Sequence, residues 1–345
     1  MRARFVWIVC CNTPICAPFT RLEFLPVTAH NPAKPRQILL SKRANVFYLE
    51  HARVIQKDGR ILYLTDTGED VEQYFNLPER NTMFLLLGKG TSITDAAVRR
   101  LAESNVILGF CGSGGSPQFA TLDPVFLVPQ SEYRPTEFMQ GWVRSWFEES
   151  DRLAMAKRLL SKRVHYAQYA WSSNIVLKAL SVELPKSRVE TFLKRIIAAE
   201  NTQELLLAEA EWAKHLYAKL AATYRINNFA RNEGAGETDN SAARVNSFLD
   251  HGNYIAYGYA AMILNALGIS FSLPLLHGKT RRGALVFDIA DLIKDAWVMP
   301  TAFAVGANEK SKDRDMRAQL IESVHDSGAV DEVFSFVKSL ALEPS

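Results

Sequence analysis

At 345 residues the chain is long enough for two domains, each with its own core, and 48% hydrophobic with 22% charged residues is ordinary globular composition. No apolar run approaches the roughly 18 residues that a membrane-spanning helix needs, and no membrane partner is expected. A net charge of +3 neither demands nor excludes a nucleic-acid partner, because the sum hides where the charge is placed.

Residues 1–36 are the least informative part. "MRARFVWIVCC" turns from basic to apolar, but its apolar stretch, about seven residues, is at the lower edge of a signal-peptide core. "CAPFTRLEFLPVTAHNPAKPRQ" follows with four prolines, and the segment is expected to be a loose tail or to follow from a misplaced start codon. From residue 37 to about 120, short β-branched and aromatic runs ("ANVFYLEHARVI", "GRILYLTD", "EQYFNLP") are broken by "KDGR" and "DTGED". They predict a small antiparallel β-domain. Within it "TSITDAAVRRLAESN" supplies a capped helix and "VILGF" a strand.

After the connector "DPVFLVPQSEYRP" the pattern becomes helical, with helices expected at about 136–163, 165–182, 186–199, 203–228, 244–268, 284–300 and 313–340. The polar, glycine-bearing stretch 230–242 reads as a loop between two of them. The fold class is therefore α+β, a small N-terminal β-domain (37–120) followed by a larger all-helical domain (121–345). The four cysteines, Cys10, Cys11, Cys16 and Cys111, form neither a CxxC pair nor a zinc spacing. That pattern fits a reduced, cytoplasmic protein.

Three features carry chemistry. In "ELLLAEAEWAKHLYAKLA", Leu205, Trp212, Ala213, Leu216 and Leu220 all fall within about 60° of Glu209 on a helical wheel. Glu204 and Glu211 project the opposite way. A carboxylate in an apolar stripe must be paired, either with an arginine from another helix or with a bound cation. In "VFDIADLIKDAW", Asp288, Asp291 and Asp295 recur at i, i+3 and i+7 on a helix that is apolar on several other sides. Such like charges repel unless solvated or bridged by a divalent cation; Asp295, nearer the helix end, is suited to capping or pairing as well. In "LLHGKTRRGALVFD", His277 stands beside Lys279, Arg281 and Arg282 and eleven residues before Asp288. A lone histidine is most often structural, but imidazole with carboxylates suits Mn²⁺ as well as Mg²⁺. The basic cluster suits a phosphate clamp or, failing that, a solvated turn.

"GKT" at 278–280 and "GKGTS" at 88–92 are not P-loops, since Leu273 and Met83 stand where the leading glycine is required. The glycines at 112–115 open no βαβ unit, and no Gly-x-Ser-x-Gly elbow occurs. Kinase, ATPase, dehydrogenase and hydrolase-elbow chemistry lose their motifs together.

Several segments resemble one family. They are "LLSKRANVFYLEHARV", "LLLGKGTSITDAAVRRLAESNVILGFCGSGGSP", "PQSEYRPTEFMQGWVRSWF", "NSFLDHGNYIAYGYAAMIL" and "LHGKTRRGALVFDIADLIKD". Over roughly residues 37–310 the chain is similar to the CRISPR-associated endonuclease that integrates new spacers, in its subtype I-F (YPEST-type) branch. The resemblance implies a metal site of one Glu, one His and a pair of Asp: Glu209, His277, Asp288 and Asp291, holding Mg²⁺ or Mn²⁺. Members often carry Gly after the glutamate, where this chain has Ala210. It also implies a homodimer acting on double-stranded DNA with a small second adaptation protein, which is fused to a helicase–nuclease in this branch.

The expected reaction is insertion of a spacer by attack of a DNA 3′-hydroxyl on a repeat phosphodiester. Lys279, Arg281 and Arg282 would neutralise flanking phosphates, with Lys214 and Lys294 as further backbone contacts. A plain metal nuclease would use the same ligands with water as nucleophile. A non-catalytic DNA-binding scaffold would need positive charge but no inward-facing acids, and Glu209 with the Asp288/Asp291 pair argues against it.

Overall fold

The structure is a computed structural model that describes residues 6–7, 45–65, 74–112, 125–127, 136–232, 240–278 and 283–343. Its N-terminal part holds two sheets. The first runs β1–β2–β6–β8–β9, with β1 at Val6–Trp7, β2 at Asn45–Leu49, β6 at Thr82–Leu87, β8 at Ile107–Phe110 and β9 at Val125–Leu127. The second runs β5–β4–β3–β7, with β3 at Ala52–Lys57, β4 at Arg60–Thr65, β5 at Tyr74–Leu77 and β7 at Ser92–Ile93.

The expectation of a purely antiparallel domain is corrected. β1, β2, β6 and β8 pair in parallel, and only β9 joins that sheet antiparallel. The physical reason lies in burial. Tyr48, Phe84, Leu86 and Ile107 pack into the helical core, while Phe47, Leu49, Leu85, Leu87 and Leu108 pack against the second sheet. A sheet covered on both faces takes continuous apolar strands, as in "TMFLLL", and such strands are the signature of parallel pairing. The second sheet does carry the expected hairpin. Asp58 and Gly59 both adopt positive φ, at 51° and 73°, and Lys57 pairs with Arg60 across a two-residue turn. Between β7 and β8, α1 (Asp95–Glu103) is capped by Thr94, which accepts from the Ala97 amide at 3.3 Å.

Two strands of the first sheet lie outside residues 37–120. Val6–Trp7, inside the supposed loose tail, adds an edge strand against Phe47–Tyr48. At the other end β9, beyond residue 120, still belongs to the first sheet. Cys111 is buried, its Sγ 3.6 Å from the Leu87 carbonyl, and Cys10, Cys11 and Cys16 lie outside the described residues.

The helical part comprises α2 (Glu137–Phe147), α3 (Glu149–Ser173), α4 (Ile175–Ala179), α5 (Lys186–Ala198), α6 (Thr202–Thr223), α7 (Ser241–Leu267), α8 (Ala284–Ile293), α9 (Met299–Gly306), α10 (Asp313–Asp326) and α11 (Ala329–Leu342). The helix expected at 284–300 is interrupted by a π-helical turn, Lys294–Val298, between α8 and α9. Every residue of α8 is buried. It lies against α3 and α7, and α7 closes on the π-turn at Gly252, where a β-carbon would meet Val298 at 2.5 Å. No helix of the described residues is long and apolar enough to cross a membrane.

Candidate metal centre

Four elements converge on the acidic residues. α6 brings Glu209, α8 brings Asp288 and Asp291, the α7–α8 loop brings His277, and α3 brings Arg163. The loop is pinned from α2: the Trp142 indole donates to the Leu273 carbonyl at 3.1 Å and that of Trp146 to the Pro274 carbonyl at 2.7 Å. Gly283, with φ 71°, then turns the chain into α8.

Ligand atoms of Glu209, His277 and Asp291 all lie within 4.8 Å of one another. Two carboxylates and an imidazole at that spacing fit one hard-to-borderline divalent cation, Mn²⁺ or Mg²⁺. Asp291 is buried, while the Glu209 and His277 side chains keep 13% and 26% exposure, so the group opens to solvent on their side.

Asp288, expected as a fourth ligand, lies beside this group and bonds the histidine loop. Its Oδ2 accepts from the amides of Leu275 (2.6 Å) and Leu276 (3.1 Å). Its Oδ1 accepts from the His277 amide (3.1 Å) and faces His277 Nδ1 at 2.6 Å. Asp288 is thus the anchor of the histidine loop and stands outside the grouped ligands. A carboxylate can only accept, so Nδ1 carries the proton and Nε2 keeps the neutral ring's one lone pair, the arrangement of a metal-ligating histidine.

The spacing i, i+3, i+7 does not make one acidic stripe with one role. Because α8 and the π-turn are enclosed, each carboxylate meets a different neighbour. Asp295 is fully buried and takes the Arg163 fork, Nε at 2.6 Å and Nη2 at 2.9 Å, together with the Trp212 indole at 2.8 Å. Arg163 Nη1 also binds Glu209 Oε1 and lies 3.5 Å from Asp291 Oδ2. The arginine partner considered for Glu209 therefore exists, beside the grouping that suits a cation. Glu211, by contrast, is half-exposed and pairs with Arg195.

Lys294, expected as a DNA backbone contact, lies beside the grouped acids. Its Nζ lies 2.7 Å from Asp291 Oδ1 and above the Tyr257 ring at 4.7 Å. Lys214 is exposed on α6. Lys279, Arg281 and Arg282 fall outside the described residues.

Electrostatics follow the packing. Burial raises the Glu209 carboxyl, with Arg163 opposing. Burial works against an ionised Asp291 too, but Lys294 and Arg163 prevail and hold it well below the usual carboxylate range. Burial favours neutral His277, yet the bond to Asp288 and the charge of Asp291 raise its pKa overall.

The sequence reading passed over Arg163, although the wheel that singles out Glu209 finds it. Ala156, Leu159, Leu160, Tyr166, Ala167 and Ala170 all lie within about 60° of it, and every one is buried.

The family model for "CRISPR associated protein Cas1" matches residues 46–330. A CRISPR-associated endonuclease Cas1 from Pseudomonas aeruginosa (strain UCBPP-PA14) is 41% identical over 319 residues, 90% of this chain and 97% of that protein. One from Pectobacterium atrosepticum is 39% identical over 321 residues, 91% of this chain and 97% of that protein. The chain belongs to the Cas1 family. A solved TtCas1–DNA complex shares the fold with a TM-score of 0.62 at 22% identity, covering 87% of this chain and 92% of that one. A casposase bound to its integration product does so at 0.59 and 15% identity, covering 86% and 89%.

Proposed function

We propose that the chain is a metal-dependent DNA endonuclease and integrase that inserts new spacers into a CRISPR array. The observation that carries this reading is the grouping of Glu209, His277 and Asp291, whose ligand atoms lie within 4.8 Å of one another, in a chain whose relatives are named CRISPR-associated endonucleases. These three residues bind Mg²⁺ or Mn²⁺. When bound, the ion supplies charge stabilisation at the scissile phosphate and polarises its oxygens.

The chain's own residues do the rest. Asp288 fixes the tautomer of the neutral ring, so that Nε2, and not Nδ1, keeps the lone pair available to a metal. Lys294 and Arg163 keep Asp291 ionised inside an apolar helix pack. The basic run Lys279, Arg281 and Arg282, immediately after the His277 loop, receives the flanking phosphates, and exposed Lys214 extends that contact. The attacking group in this reading is a DNA 3′-hydroxyl, in keeping with a fold that a casposase carries in complex with an integration product.

Double-stranded DNA is the substrate. A homodimer working with the small second adaptation protein is the active assembly, and the helical domain from about residue 121 carries the chemistry. The test is strand transfer of a short duplex with free 3′-hydroxyl ends into repeat-bearing supercoiled DNA, with Mg²⁺ or Mn²⁺ and the partner protein. Joined products that disappear in His277→Ala and Asp291→Ala support integration. Cutting without joining would reassign the chain to hydrolysis, and retained joining in both variants would overturn the site.

A further inference from the structure

Arg163 contributes no ligand to the cation and is almost wholly enclosed, yet it touches two of the three grouped ligands. Its side chain is 4% exposed, on the apolar face of α3. Asp295 takes Nε and Nη2 at once, at 2.6 and 2.9 Å, which fixes the plane of the guanidinium. Asp295 is itself clamped twice. The Trp212 indole donates to its Oδ2 at 2.8 Å, and the Trp171 indole donates to its backbone carbonyl at 2.9 Å. Trp212 cannot drift, because its ring stacks on Phe192 with centroids 5.0 Å apart and planes at 13°. With its fork committed to Asp295, the guanidinium turns Nη1 toward Glu209 Oε1 and, at 3.5 Å, toward Asp291 Oδ2.

We propose that Arg163, locked by Asp295 and Trp212, is a positioning residue that holds Glu209 by one carboxylate oxygen and presents the other to the metal. The inference rests on the metal-centre reading above. It explains a feature that reading leaves unused: a fully buried carboxylate in a π-helical turn that is not among the grouped ligands. A π-turn inside an α-helix is a common device at functional sites, and here it carries Asp295 onto the arginine. It also separates the roles of the two buried cations. Of the grouped acids Lys294 meets Asp291, at 2.7 Å, and acts as a point charge, whereas Arg163 works through the geometry of its fork, which a lysine cannot reproduce.

The test is Mn²⁺ affinity of the full-length chain by titration calorimetry, with near-ultraviolet circular dichroism confirming that each protein titrated is folded. Arg163→Lys keeps the charge and removes the fork, and it should weaken Mn²⁺ binding about 10- to 100-fold, the usual cost of losing a partner that orients a ligand. Trp212→Phe keeps the stacked ring and removes one bond to Asp295, so a smaller loss of about threefold or more is expected. A salt bridge that only supports the fold would lower the melting temperature and leave the affinity of the folded chain unchanged, which would overturn the proposal. Tighter binding would also overturn it, since Arg163 would then be a competitor of the cation. If Arg163→Lys does not fold, Trp212→Phe decides alone. Wild type that fails to bind Mn²⁺, or His277→Ala that binds as tightly, would sink the metal-centre reading itself. Normal, His277-dependent binding with no effect of the Arg163 and Trp212 substitutions sinks only the present proposal.

Discussion

His277 Nδ1 lies 2.6 Å from Asp288 Oδ1, and the same carboxylate group accepts the amides of residues 275, 276 and 277. One buried acid therefore organises both the backbone of the loop and the tautomer of its histidine. Asp291, one turn further along α8, faces Glu209 and His277 instead. Two aspartates that look equivalent in sequence are divided between holding the ligand loop and meeting the cation.

That division predicts different phenotypes. Asp291→Asn removes a ligand charge and should abolish strand joining together with measurable Mn²⁺ binding. Asp288→Asn keeps the shape but places an N–H₂ donor against donors, so it should weaken Mn²⁺ about 10- to 100-fold through misorientation of His277. It should also destabilise the fold by about 3–5 kcal/mol, because the buried amides lose their ionised acceptor. Calorimetric titration and urea unfolding separate the two effects. Equal loss of Mn²⁺ affinity in both variants, without any loss of stability in Asp288→Asn, would show that Asp288 is a ligand after all.

The raised pKa of His277 sets the sign of a pH effect. A histidine whose folded value lies above the ordinary one of about 6.5 stabilises the metal-free fold below that pH. This stabilisation fades as the pH rises through the folded value. Metal binding has the opposite sign, since the cation needs the unprotonated ring and an ionised Glu209, and the pKa of Glu209 is also raised. The rise in melting temperature caused by Mn²⁺ should thus be small near about pH 6 and grow toward about pH 8. His277→Gln should flatten that trend. A constant Mn²⁺ effect over the range would contradict the assignment of His277 as a ligand.

Much of this was legible in the chain, for reasons that differ by residue. Glu209 declares itself because a carboxylate in the middle of an apolar helical stripe has few physical explanations. The Thr94 cap and the Asp58–Gly59 hairpin follow from local backbone chemistry. The parallel first sheet needed another signal, the continuous apolar run "TMFLLL", which marks a strand covered on both faces. Asp288, Asp291 and Lys294 could be placed on one helix from their spacing, but not assigned partners, because α8 is enclosed on all sides and each neighbour comes from a distant element. Arg163 could have been found by the wheel that found Glu209; what hid it was the habit of reading arginine as surface charge.

Lys294 offers a prediction that its sequence context would not suggest. An aspartate whose folded pKa is depressed contributes stability above its unfolded value of about 3.9 and loses it only as pH falls through the depressed one. Lys294 is the first of the charges that hold Asp291 low against burial. Lys294→Met should therefore cost about 3–5 kcal/mol at neutral pH, the usual penalty for breaking a buried pair. Acid unfolding should begin at higher pH, and the pH at which Mn²⁺ is released should move upward. Urea and acid titrations followed by circular dichroism check both shifts. An unfolding midpoint unchanged in urea would mean that the pair is not formed in solution.

The same placement distinguishes Lys294 from the other basic residues in DNA binding. Each lysine or arginine that neutralises a phosphate of duplex DNA adds about 0.9 to the slope of log affinity against log salt. Replacing Lys279, Arg281 and Arg282 together by glutamine should lower that slope by roughly 2.7, and Lys214→Gln by roughly 0.9. Lys294→Gln should leave it unchanged, because its ammonium is committed to Asp291 at 2.7 Å. Fluorescence anisotropy with a labelled duplex over a range of potassium chloride concentrations gives all three numbers. A slope that falls for Lys294 and not for the 279–282 run would reverse the assignment, putting the phosphate path over the buried centre instead of along the loop that follows His277.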